Sequence, residues 1–222
     1  MKRKALFIVV GLLLFVATLA FNVSKSQSYN RKNSQTTGEQ ANQNKSVPAK
    51  NVKNGKTLIV YFSRSGTNYP DVNIKIGHTK RLSMFIADYT HGDQYEIVPT
   101  RAYPKNYQAT VDQAEREQQQ NARPAIKNPL PDVSQYDTIF IGYPIWFNEQ
   151  PMIVRTFMDE VNLNHKNVVP FSTNAGSGWG DSISILKKTY PNARVLTGFS
   201  IEGSDADSAR NQVNRWLQKI GY

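Results

Sequence analysis

Three short segments hold the residues able to do chemistry. Ser63-Arg-Ser-Gly-Thr-Asn68 sets hydroxyls and a glycine directly behind the apolar run Thr57–Phe62. After a parallel strand, such a loop can offer side-chain hydroxyls and backbone N–H groups to a phosphate. Gly142-Tyr-Pro-Ile-Trp-Phe-Asn-Glu-Gln-Pro151 follows the run Thr138–Ile141 and places large apolar side chains where a loop must be. Loop aromatics are costly in water unless they cover something flat or pack on a neighbour. Ser172-Thr-Asn-Ala-Gly-Ser-Gly-Trp-Gly-Asp181 follows a third apolar run, and its glycines let backbone approach a ligand closely. Singly, each has a plainer reading: a polar turn, a buried loop plug and a flexible turn. In succession, each at the end of an apolar run, they point to one bound ligand.

Other chemistries lack their residues. No GxxxxGK[ST] is present, so the first loop is not that of an NTPase, and no GxGxxG offers a dinucleotide fingerprint. Ser177 fails as a hydrolase nucleophile, because Ala175 and Trp179 stand where the elbow needs glycine and no His follows it. The chain has no Cys, which removes disulfides, thiolate metal sites and thiol nucleophiles. Its three His (His78, His91 and His165) are widely spaced, and no bound metal is expected. The formal charge of +10 suggests nucleic acid at first sight. Nine of the 27 Lys/Arg but only Glu39 among the 17 acids fall in residues 1–54, leaving +2 for the remainder. The excess therefore sits on the leading segment, where an anionic membrane or wall polymer is the fitting partner, and no nucleic acid is expected.

The elements that must position the loops follow from periodicity. Lys2, Arg3 and Lys4 precede the apolar run Ala5–Phe21, the pattern of an export signal or, uncleaved, a signal anchor over 1–23. That places the rest outside the membrane, anchored or secreted. Residues 24–54 are polar and read as a disordered tether. No twin-Arg pair signals export of a folded chain, so a cofactor would be acquired after translocation. From 55 to 222, strands are expected at Thr57–Phe62, Gln94–Val98, Thr138–Ile141, Asn167–Ser172 and Arg194–Leu196. Helices are expected at Lys80–Tyr89, Asn106–Asn121, Pro151–Val161, Asp181–Thr189 and Asp205–Ile220. Such alternation gives an α/β three-layer sandwich with a parallel sheet, whose ligands bind beyond the carboxyl ends of the strands.

From Thr57 to Tyr222 the chain resembles the flavodoxin family, in particular a bacterial branch with a long insertion in the first loop. LIVYFSRSGTN, IGHT, IGYPIWF and FSTNAGSGWGDS carry the resemblance, with YPKNYQATVDQAEREQQQNARPAI after the second strand. It implies a flavodoxin-like five-stranded parallel sheet in order 2-1-3-4-5 and FMN as cofactor. Ser63, Arg64, Ser65 and Thr79 then look like the phosphate loop, split by an insertion at about 68–76. His78 stands where that branch usually has Asn. Pro144, Ile145, Trp146 and Phe147 look like the loop flanking the isoalloxazine ring, and Thr173, Asn174, Gly176 and Gly178 like the loop lining the ring and ribityl. A pure electron carrier needs no catalytic side chain. The near-neutral domain leaves a carrier and a quinone or NAD(P)H reductase both open, with a redox protein or a small-molecule acceptor as partner. The alternative is an exported interaction module that keeps the fold without the cofactor.

Overall fold

Strands buried on both faces read as continuous apolar runs rather than alternating ones, and this chain's central strands are of that kind. The structure, a computed structural model, describes residues 55–69 and 72–222. The expected leader and tether lie outside the described residues. Strand β1 (Thr57–Tyr61) lies between β4 (Asp93–Glu96) and β5 (Thr138–Pro144), and β5 pairs with β6 (Asn167–Asn174), all in parallel. Along β1 the side chains alternate between two cores. Leu58 and Val60 enter one with Ile139, Ile141 and Phe157; Ile59 and Tyr61 enter the other with Phe140 and Phe171.

The last lane of the sheet is made of two pieces. β7 (Arg194–Val195) pairs with the start of β6 and β8 (Phe199–Glu202) with its end, giving the order β4-β1-β5-β6-β7/β8. This is the expected 2-1-3-4-5 order. The fifth strand runs beyond the expected Arg194–Leu196, past Thr197 and Gly198, and its second half reaches the edge where the loops gather. At Gly198, where a Cβ would overlap the Pro170 carbonyl and the Trp179 ring, the chain steps out of register and resumes: Val168 pairs with Val195 and Phe171 with Phe199.

Helices α1 (His78–Thr90) and α5 (Arg210–Ile220) cover one face through Leu82, Phe85, Ile86, Val213 and Leu217. Helices α3 (Met152–Glu160) and α4 (Ser182–Thr189) cover the other through Ile153, Phe157 and Leu186. Helix α2 (Tyr107–Gln119) lies beside α3, capped where Asn106 Oδ1 accepts the Ala109 N–H at 2.9 Å. Asp205–Ser208, expected as the start of the last helix, belong instead to a separate 3-10 turn, Gly203–Ser208. The first-loop insertion folds back as an antiparallel pair of β2 (Gly66–Asn68) and β3 (Val72–Ile74).

The core leaves little spare volume between β5 and β6. A methyl group on Gly142 would overlap the Phe171 ring. Overpacking of this kind costs about 1–3 kcal/mol. Gly142→Ala should therefore lower the urea midpoint with an unchanged denaturant slope, followed by tryptophan fluorescence.

Candidate functional site

The parallel arrangement delivers the ends of β1, β5 and β6 to one edge, and the three loops meet there. The first is closed at its base. Ser63 Oγ accepts the Lys80 N–H at 3.0 Å, satisfying one of the free donors in the first turn of α1. Gly77 is the residue before that helix, and a Cβ there would overlap both Ser63 Oγ and the Arg64 carbonyl, so the returning insertion needs glycine at this approach. The helix start carries no acid in its first turn. Its leading N–H groups and dipole make it a fitting seat for an anion.

Thr79 ties this end to the neighbouring lanes. Its hydroxyl lies 2.9 Å from that of Thr173, and both side chains are buried. Thr173 also pairs with Pro144, and the Ile145 N–H donates to the Thr173 carbonyl at 2.8 Å. Five of the sequence-predicted residues, Ser63, Thr79, Pro144, Ile145 and Thr173, thus form one continuous ledge across three strand ends.

The other predicted residues take more particular positions. Ser65 is exposed at the rim. Arg64 turns to backbone: Nη1 donates to the Pro104 carbonyl at 3.0 Å and the Lys105 carbonyl at 3.2 Å, and Nη2 donates to the Thr67 carbonyl. Burial pulls its pKa down, with the Tyr107 phenol opposing. His78 packs its ring against Gly203 in the 3-10 turn and is half-buried. Desolvation holds its pKa below the usual imidazole range, with Asp207 acting the other way. Trp146 packs edge-on against Phe62 and Tyr103, with ring centroids 5.5 and 5.2 Å apart, so much of its ring is a plug on the α2 side. Phe147 remains exposed. Asn174 spends its amide on structure: Nδ2 donates to Ser200 Oγ and the Ile201 carbonyl, and Oδ1 accepts the Gly176 N–H. Gly176 and Gly178 both have positive φ and open space where a side chain would be.

The second loop is a tight reversal. The Trp146 N–H and the Glu149 N–H each donate to the other residue's carbonyl, at 3.0 and 3.1 Å. Phe147 and Asn148 between them have φ of 46° and 69°. That is the geometry of a type I′ turn, in which glycine or Asn is usual and Phe is not. Residues that the sequence did not single out hold it. Gln118 Nε2 donates to the Phe147 carbonyl at 2.9 Å and to Glu149 Oε1 at 2.7 Å, and Arg155 Nη1 donates to Glu149 Oε2 at 2.8 Å. Asn148 Nδ2 donates to Asp181 Oδ2 at 2.8 Å, and the Asp181 N–H donates to the Asn148 carbonyl at 2.7 Å, latching loops two and three together. No local motif marks Gln118 or Asp181, since their partners are far away in sequence.

The arrangement can seat an anion at α1 and a flat group beside the second and third loops. The model of a family described as Flavodoxin matches residues 56–220. A candidate flavoprotein from Bacteroides eggerthii is 32% identical, with TM-score 0.62, over 76% of this chain and 99% of its own. A second, from Bacteroides uniformis, is 30% identical with TM-score 0.61, over 74% and 98%. A flavoprotein from Lactobacillus acidophilus, solved in complex with FMN, is 24% identical with TM-score 0.53, over 69% and 97%. No curated protein matches.

His78 gives the site a pH signature. With a folded pKa depressed below 6.5, the unfolded chain binds more protons between the two pKa values, so stability rises with pH across that window. His78→Gln should flatten this part of the pH–stability curve, on the acid side of the ordinary imidazole range at pH ~6.5, read from urea midpoints.

Proposed function

The chain belongs to the flavodoxin family, and from that premise we propose that it binds FMN and transfers electrons at the outer face of a membrane. The observation that carries the reading is the ledge built of Ser63, Thr79, Pro144, Ile145 and Thr173 across three strand ends, with an acid-free helix start beneath it. Two relatives at 30% identity or more bear flavoprotein descriptions, and one of the same fold was solved with FMN, which supports the choice of cofactor.

The residues fit such a group. A phosphate at α1 would receive the leading N–H groups of the helix together with the hydroxyls of Ser63 and Thr79. The flavin supplies one- and two-electron chemistry once bound, and the protein's part is to place and tune it. The turn at Trp146–Glu149 keeps aromatic surface beside the ring and excludes water. The Gly176–Gly178 stretch lets backbone come close without a Cβ in the way. The buried Tyr143, its phenol pushed up to about 12 by desolvation, stays neutral and adds no charge below the ring loop.

Location and partners follow from the leading segment. A basic n-region and apolar run, anchoring or cleaved, would put the domain outside, where it meets a redox protein or a small-molecule acceptor. The competing reading, an interaction module without cofactor, draws on His78 at the phosphate end.

The deciding measurement is a titration of the detergent-solubilised full chain with FMN, read by the visible spectrum and quenching of flavin fluorescence. Saturable uptake is expected, weakened about tenfold or more by Ser63→Ala, the cost of one charge-assisted hydrogen bond. Absence of uptake by the wild-type chain would leave the interaction module standing.

A further inference from the structure

Behind the second loop, Trp146 packs on a residue that no part of the flavin reading uses. Among the described residues, three tyrosines donate a phenolic hydrogen bond to a carboxylate: Tyr61 to Glu96 at 3.2 Å, Tyr136 to Asp93 at 2.8 Å and Tyr103 to Glu117 at 2.7 Å. Of the three, only Tyr103 also touches a tryptophan. Its ring lies edge-on to Trp146 with centroids 5.2 Å apart, and Phe62 closes against both at 5.5 Å. A line of contacts therefore runs from the second loop through Trp146 and Tyr103 to Glu117 on α2.

Three features suit this line to carry one electron. The first is contact. Tryptophan and tyrosine are the aromatic side chains most easily oxidised, and here their rings touch with no saturated chain between them. The chain has no Cys, so no thiol competes as the electron source. The second is the proton. Tyr103 is only 8% exposed, and burial, reinforced by Glu117, pushes its phenol far above the ordinary range, so it does not ionise unaided. Loss of an electron turns a phenol into a strong acid, and Glu117 Oε2 already sits at hydrogen-bond distance to receive the proton. The third is hold. Gln113 Nε2 donates to Glu117 Oε1 at 2.8 Å, which leaves Oε2 for the phenol, and the paired hydrogen bonds of Trp146 and Glu149 fix the tryptophan's backbone.

We infer that Trp146, Tyr103 and Glu117 form a relay that gives one electron to a radical oxidant, of the peroxyl class, arriving at the second loop. Trp146 is half-buried there and is the end such an oxidant meets. The peroxyl radical takes an electron from the indole and a proton from solvent and becomes a hydroperoxide. The indole radical cation takes an electron from Tyr103, whose O–H bond breaks as the proton passes to Glu117 Oε2. The products are an intact Trp146, a neutral Tyr103 phenoxyl radical and a protonated Glu117. The damage is moved off the loop and into a buried ring shielded by Phe62. Reset takes one electron from a reduced flavin and the proton back from Glu117; that last step alone rests on the flavin reading.

The test uses the full chain in detergent, without FMN, oxidised in a laser flash by a soluble ruthenium tris-bipyridyl ion with a sacrificial electron acceptor. Transient absorption separates indolyl from phenoxyl radicals. In the wild-type chain a phenoxyl signal should grow as an indolyl signal decays. With eleven tyrosines and three tryptophans in the chain, variants make the assignment. Tyr103→Phe keeps the ring and should remove most of that growth. Glu117→Gln still accepts the phenol's hydrogen bond but is a far weaker base, and should slow the growth by about a hundredfold, the low end of what a positioned base contributes. Phenoxyl growth untouched by either variant overturns the relay, as does a wild-type indolyl signal that decays with no phenoxyl growth. A chain that takes up FMN but shows no transfer keeps the flavin reading and loses the relay. A chain that transfers but takes up no FMN keeps the relay and loses only its reset.

Discussion

The site depends on how a long insertion is returned to its starting point. The chain leaves β1 at Phe62, makes the β2–β3 excursion and must come back so that α1 begins beside the end of β1. Ser63 Oγ on the Lys80 N–H closes that circuit, and only a residue without Cβ fits at Gly77, against Ser63 Oγ and the Arg64 carbonyl. One hydrogen bond is worth about 1 kcal/mol net. The close approach is steric and does more: it fixes the start of α1 within reach of Thr173 on the far lane. The Thr79–Thr173 pair at 2.9 Å then links the first loop to the third. Arg64 serves the same closure from outside, clamping carbonyls of the hairpin and of the segment before α2.

The second loop obeys the opposite logic. Its turn is intrinsically unfavourable, since a non-glycine residue at positive φ costs of order 1–3 kcal/mol and two stand side by side. Asn adopts this backbone more readily than Phe, so the strain falls on Phe147. The surroundings over-determine the turn: Gln118 and Arg155 through Glu149 on one side, Asp181 on the other. The Arg155–Glu149 pair is well shielded, with side chains 19% and 17% exposed, so its contribution survives salt better than that of an open ion pair.

Strands β1, β5 and β6 were legible because burial on both faces demands unbroken β-branched and aromatic runs. The helices between them made the sheet parallel, and the order of the lanes came from the resemblance to the flavodoxin family. The loops that gather at their ends were legible for the same reason, since topology alone sends them to one edge. Less was legible where tertiary packing overrides local pattern. The break at Gly198 between β7 and β8 falls where Pro170 and Trp179 leave no room for a side chain. The β2–β3 pair carries no strong periodicity in so short a stretch. For Trp146, sequence gave two outcomes, a flat-ligand cover or a plug, and Phe62 and Tyr103 draw it largely to the second. Asn174 has the right type and place for a ligand contact, yet Ser200 and Ile201 on β8 claim its amide; the missed half of the last strand hid those partners.

These ties share one property: each runs from protein to protein. The first loop is held by Lys80 and Thr173, the second by Gln118 and Asp181, and the third by Asn148, Ser200 and Ile201. Their positions are therefore set by the fold and not by the molecule they receive. A site of that kind spares a ligand much of the cost of ordering loops at the moment of binding. The strain stored at Phe147 belongs to the same economy, because it is met by the hydrogen bonds of α2 and Asp181 before any ligand arrives.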